Sequence, residues 1–232
     1  MLYQPEILSA NIVVLGAFNP AIFSPDWLEQ NQLIGPDDAK VIRSSENFVV
    51  TRQITQLQSE SFRLLVEENK CQVNCIGVAG PHIRDLTMGV LELLPHTPLR
   101  ALGLNFDIQY RFLNSDAYHK IGDVLVPKSI WQKVVDDPDR AIGLEQLRIL
   151  VQDGKRGEEL KSSDSKTISV QRGGSDLTIR ISYNDHHEFA SLPEGTEAAE
   201  VAIGVLKEQW HEQLQAASQT FNRVIELAIA ES

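Results

Sequence analysis

The densest run of ligand-type side chains in this 232-residue chain is Asn184-Asp185-His186-His187-Glu188-Phe189. Asp185 and His187 would offer a divalent metal one hard and one borderline ligand. Successive residues of an extended chain point to opposite faces, so His186 and His187 diverge and at most one joins any single site. No HExxH or comparable spacing accompanies them. A polar strand end is the simpler reading, and a metal-dependent enzyme centred on Asp185 and His187 is kept as an alternative. His82, His96, His119 and His211 are scattered, with no recognisable nucleophile beside them. The glycine turns "GVAGP" and "RGGSD" match neither phosphate-binding pattern. No catalytic residue is assigned and no cofactor is implied.

Cys71 and Cys75 are the only thiols. At i and i+4 on a strand they share a face about 13 Å apart, beyond the reach of a disulfide. Two thiols without a second pair do not make a zinc site. They read as two half-buried thiols of a cytosolic protein.

Strand alternation carries more information. In "NFDIQYRF", Phe106, Ile108, Tyr110 and Phe112 share one face, and Asn105, Asp107, Gln109 and Arg111 share the other. In "EQLRILVQ", Leu147, Ile149 and Val151 oppose Gln146, Arg148 and Gln152. In "LTIRISY", Leu177, Ile179, Ile181 and Tyr183 oppose Thr178, Arg180 and Ser182. If these strands form one sheet, its apolar face meets helices and its other face presents hydrogen-bonding groups. Asn105, Asp107, Gln109, Arg111, Arg148 and Arg180 are therefore the candidate partner-binding residues. A merely solvated antiparallel sheet has the same alternation.

A net charge of −11 opposes a surface that grips nucleic acid or anionic lipid all over. The acidic residues, however, fall mostly on predicted helices and loops, which leaves the sheet face neutral to basic. No apolar run approaches the roughly 18 residues of a membrane span. The first 18 residues lack a basic region ahead of their apolar stretch and read as a strand rather than a secretory signal. The expectation is a cytoplasmic protein.

The elements that must position these residues come in a repeating order. Residues 7–18 read as a buried strand, "DWLEQNQLI" as a short helix and "IGPDDAK" as a turn. "NFVVTRQITQLQ" and "SFRLLVEENKCQVNCIG" read as three strands, and the stretch between Pro81 and Pro95 as a helix. Strand 100–112 restarts the series. Short helices in "SDAYHKIGDVLV" and "PKSIWQKVV", a strand at "GLEQLRILVQ", a polar loop at 153–166 and a hairpin about "RGGSD" follow. The chain closes on a helix over about 197–229, with an apolar stripe from Ala202 to Ala228. Its length predicts a bend at Gly204, a projecting end, or a helix lying wholly in the core. The order strand, helix, three strands, helix thus occurs twice, and "VVLGAF" and "ALGLNF" share a Leu-Gly landmark. The expected fold is α+β, a mostly antiparallel sheet with helices on one face. It has two similar halves, 1–97 and 98–232, in one unit.

That order resembles, in topology alone, the duplicated fold of the TATA-box-binding proteins. "LGLNFDIQY" (102–110) and the late-Phe helix segment "QTFNRVIE" (219–226) are similar to an uncharacterised, sporadically distributed bacterial family with an "LGLRY–N" strand, although Asn105 stands where that family has Arg. The resemblance implies a fold and assigns no sites. The functional expectation is a non-catalytic binding or assembly protein. It would engage a protein partner or a second copy through the polar sheet face, the C-terminal helix or both. A nucleic-acid-binding sheet face is the other alternative, and no membrane is expected as a partner.

Overall fold

The computed structural model describes all residues except 1, 7, 138, 153–163, 191, 194, 231 and 232. Its centre is an antiparallel sheet whose two middle strands are β2 (Ser9–Gly16) and β7 (Leu99–Phe112). On one side of β2 come β6 (Lys70–Cys75), β5 (Phe62–Glu67), β4 (Ile54–Gln58) and the two-residue edge strand β3 (Val49–Val50). On the other side of β7 come β10 (Thr178–Glu188), β9 (Ser165–Arg172) and the edge strand β8 (Gln146–Gln152). A short β1 (Tyr3–Pro5) pairs with the end of β7. The order reads alike from the middle outward: first strand, then the hairpin in reverse. The repeat of elements is therefore also a repeat of topology.

The Leu-Gly landmark does not map onto that repeat. Ile12 pairs with Leu104 and Val14 with Leu102, so the even residues of both strands face the helices. Leu15 pairs with Ala101 on the opposite face, whereas Leu102 is fully buried beneath the helices. Leu15-Gly16 and Leu102-Gly103 are one residue out of phase, which on a strand puts them on opposite sides.

The helices that carry buried residues lie on one face. α1 (Pro25–Gln30) follows a 3-10 turn at Pro20–Ile22, and Ser24 Oγ caps it by accepting from the Trp27 amide at 3.1 Å. The segment "IGPDDAK" opens a helix rather than a turn. α2 (Pro36–Ser44) starts from Gly35 with Pro at its first position, where the missing N–H has no intrahelical partner to lose. Arg43 of α2 donates to Asp26 and, at 2.6 Å, to Glu29 of α1. "NFVVTRQITQLQ" is likewise two strands, β3 and β4, joined by a Thr51-centred turn in which the Thr51 hydroxyl accepts from the Ile54 amide at 3.0 Å. α3 (His82–Leu93), α4 (Ser115–Leu125) and α5 (Lys128–Val135) follow.

α6 (Ala198–Ala230) is continuous through Gly204 and buries residues from Ala199 to Ala228 along its length. It packs on β7, β10, α3 and α4 and so crosses both halves. Of the three readings of this helix the structure has the one in the core, because α3 and α4 join β7 and β10 in covering the stripe. Trp210 meets Phe106 with ring centroids 5.2 Å apart, and Tyr110 donates its hydroxyl to Asn222 at 3.0 Å. One contiguous apolar core runs from Ala10 to Ala228. No helix among the described residues is long and apolar enough to cross a membrane.

Two further expectations change at the β8 edge. Of the polar stretch 153–166, residues 153–163 lie outside the described residues, and Ser165 and Lys166 already belong to β9. The apolar side of β8 is uncovered: Ile149 and Val151 are each 46% exposed, because the helices pack over β7 and β10 and stop short of this edge.

Candidate functional site

The sheet face opposite the helices is open, and register lines its polar residues into rows. Arg63, Asn74, Asn11, Asn105, Asn184 and Thr167 stand side by side across β5, β6, β2, β7, β10 and β9. The asparagines at the centre form an amide ladder. Asn105 donates to Asn11 Oδ1 at 3.0 Å and accepts from Asn184 Nδ2 at 2.7 Å, while Gln72 donates to Asn74 Oδ1 at 2.8 Å. Gly103 keeps the neighbouring row low, since a Cβ there would stand 3.2 Å from the Asn184 amide nitrogen.

The next row contains Asp107, Ser182, Ser169 and Arg148. Asp107 is 9% exposed and accepts from the Ser182 hydroxyl at 2.5 Å and from Arg180 Nε and Nη2 at 3.1 and 2.9 Å. A carboxylate so shielded requires this pairing, because an unpaired buried charge is costly. Together these rows line a depression of about 390 Å³ bounded by Asn11, Asn105, Asp107, Arg148, Arg180 and Asn184. A smaller hollow of about 180 Å³ over Val13, Leu15, Gly103 and His186 adjoins it.

Four of the six candidate residues, Asn105, Asp107, Arg148 and Arg180, therefore converge. Gln109 and Arg111 do not. Gln109 donates to Glu6 Oε2 at 2.6 Å and accepts from the Gly174 amide at 3.3 Å, and Arg111 donates to Glu6 Oε1 at 2.9 Å. They clamp the N-terminal segment against β7. Arg148 makes no ion pair among the described residues and is exposed, so it is the cation this face presents most freely. The aromatics of the described strands, Tyr3, Phe62, Phe106, Tyr110, Phe112 and Tyr183, all belong to the helix side.

Asn11, Asn74, Asn184, Ser169, Ser182 and Glu6 were not among the candidates. Asn11 sits in a strand that reads as apolar throughout, because Val13 and Leu15 occupy the open face beside it. Asn184 is overshadowed by its ligand-type neighbours. Only cross-strand register, which no single strand encodes, brings them together.

Asp185 and His187 point the other way, into the helix side, and are 3% and 7% exposed. His187 Nε2 lies 3.1 Å from Asp185 Oδ2, and Nδ1 lies 3.2 Å from Asp164 Oδ2. Asp164 also accepts from the Glu188 amide at 3.0 Å. With an oxygen acceptor at each ring nitrogen, the fully satisfied species is the imidazolium, which donates from both. Burial pulls the His187 pKa down, but the hydrogen bond and charge of Asp185 and the charge of Asp164 outweigh it, and the net shift is upward. His186 faces the open side and pairs with Glu188 at 3.0 Å. Among the described residues no three His, Cys, Asp or Glu side chains are arranged to hold a metal ion.

Cys71 and Cys75 are both free thiols. Burial pushes the Cys71 thiol up to about 12, and burial raises Cys75 as well, despite the Ala10 N–H donated to its sulfur at 3.3 Å. Neither offers a thiolate nucleophile at neutral pH.

No family model matches the chain, and no curated protein sequence is significantly similar to it.

Proposed function

We propose that this chain is a non-catalytic binding protein that engages a protein partner across the open face of its sheet. The carrying observation is the depression over β2, β7, β10 and β9, where side-chain amides, the hydroxyls of Thr167, Ser169 and Ser182, and two arginines converge, and where the one carboxylate, Asp107, is already held by Arg180 and Ser182. Such groups recognise polar or backbone-like surfaces by direct hydrogen bonds. The C-terminal helix is the weaker candidate, because its apolar stripe is spent on the core.

A nucleic-acid ligand is less well supported. Arg180 and Arg111 are neutralised by Asp107 and Glu6, the aromatics of the described strands face the helices and not this surface, and the net charge of −11 repels phosphate. A metal enzyme at Asp185 and His187 is disfavoured by carboxylates at both imidazole nitrogens.

Ser169→Trp would fill the depression from β9 without touching the core. In affinity purification from the source cells, a protein retained by wild type should be lost by Ser169→Trp and kept by Lys207→Glu on the exposed helix side. Equal retention by all three contradicts the sheet-face reading. Binding of wild type to DNA or RNA at low salt, weakening steeply as salt rises, would favour the nucleic-acid alternative instead.

A further inference from the structure

The edge strand β8 reads Gln146-Leu147-Arg148-Ile149-Leu150-Val151-Gln152 and, among the described residues, pairs with β9 on one side only. Its outer backbone N–H and C=O groups face outward in a row. Natural edge strands are blunted by Pro, bulges, inward charges or very short length. The opposite edge fits that rule, because β3 has only two residues. β8 does not: it has seven residues, no Pro or Gly and one charge. It is also exposed on both faces, with Ile149 and Val151 at 46% on the helix side and Leu150 at 59% on the open side. α5 adds Ile130, Trp131, Val134 and Val135, all exposed, and has no buried residue of its own. Lys128 at its start lines the same hollow as Val170 and Arg172 of β9, which places the helix beside this edge of the sheet.

We propose that β8 pairs antiparallel with β8 of a second copy, joining the two sheets about a two-fold axis through Ile149. Geometry restricts the register. An axis perpendicular to the sheet keeps both helix layers on one side, so odd residues must oppose odd residues. The axis must then pass through a residue. At Arg148 it would set two guanidinium groups directly opposite, which is unfavourable. At Leu150 it would carry the pairing past the end of the strand. At Ile149 all seven residues pair: Ile149 with itself, Leu147 with Val151, Arg148 with Leu150 and Gln146 with Gln152. The helix side of the seam is then wholly apolar, and each arginine lies across from a leucine. Single-strand charge pattern and length thus fit a second copy of this same strand, and the interface is isologous.

This pairing shares Arg148 with the proposed partner surface and otherwise lies apart from it. It leaves the Asn105 depression open and continues the polar face from one copy into the next. Sedimentation of wild type should give a species of twice the 25.9 kDa chain mass. Ile149→Lys places like charges on the axis and should raise the dimer dissociation constant about tenfold or more. Because residue 149 is exposed, the variant monomer should remain folded. Ile149→Cys should cross-link to itself under mild oxidation, as an opposed antiparallel pair lies within disulfide reach, whereas Ser169→Cys on β9 should not. A wild-type monomer through high micromolar concentration would overturn the proposal. So would a dimer that survives Ile149→Lys and fails to cross-link at 149.

Discussion

His187 sits between two carboxylates, and its raised pKa makes it a source of pH-dependent stability. A basic group whose folded pKa lies above its unfolded value of 6.5 contributes fully below that value and loses the contribution as pH rises through the folded pKa. Wild type should therefore lose resistance to urea on the alkaline side of 6.5, and His187→Gln should flatten that slope. Identical slopes for the two proteins would contradict the triad. On the open face, Arg180→Met would leave the shielded Asp107 carboxylate with the Ser182 hydroxyl alone. It should cost about 1–2 kcal/mol, reduced from a fully buried pair because the arginine is half exposed. The double variant with Asp107→Leu should recover part of that loss in a double-mutant cycle. At this scale alternation made Asn105, Asp107, Arg148 and Arg180 legible in the sequence. It also drew in Gln109 and Arg111, because it reports which face a residue takes and not that Glu6 already occupies both.

Single elements were legible where periodicity is unambiguous. β7, the β9–β10 hairpin and α6 follow from their patterns, the last because a 33-residue stripe admits only a helix. α2 was missed because Gly35-Pro36-Asp37 is at once a turn signal and a helix start, and only the later Ala39 and Ile42, buried beneath it, decide. The exposure of β8 was missed for a different reason. Its alternation is that of a half-buried strand, but whether a helix lies over it depends on where the layer ends. α6 organises that layer, and Trp210 is its largest buried anchor at 2% exposure. Trp210→Ala should leave a cavity against Phe106 and cost about 3–5 kcal/mol in urea unfolding. A loss below about 1 kcal/mol would mean that the helix is not held to β7 there.

At the scale of the whole molecule, the fold separates two tasks. The helices that carry buried residues pack on one side, where they close the apolar core, and the other side is left as a broad polar surface. The repeated topology supplies this surface with near symmetry, but the two halves fill it differently. Val13, Leu15 and Leu65 stand on the first half, and Asp107, Arg148, Arg180 and Ser182 on the second. The sequence echo that suggests the repeat is out of phase by one residue, so topology, and not the Leu-Gly likeness, carries the symmetry. A photo-activatable cross-linking residue placed at Ser169 in the source cells tests the proposed use of this face most directly. The account predicts a discrete adduct with another protein from position 169 and none from Lys207 on the helix side. Adducts from 207 but not from 169 would contradict it.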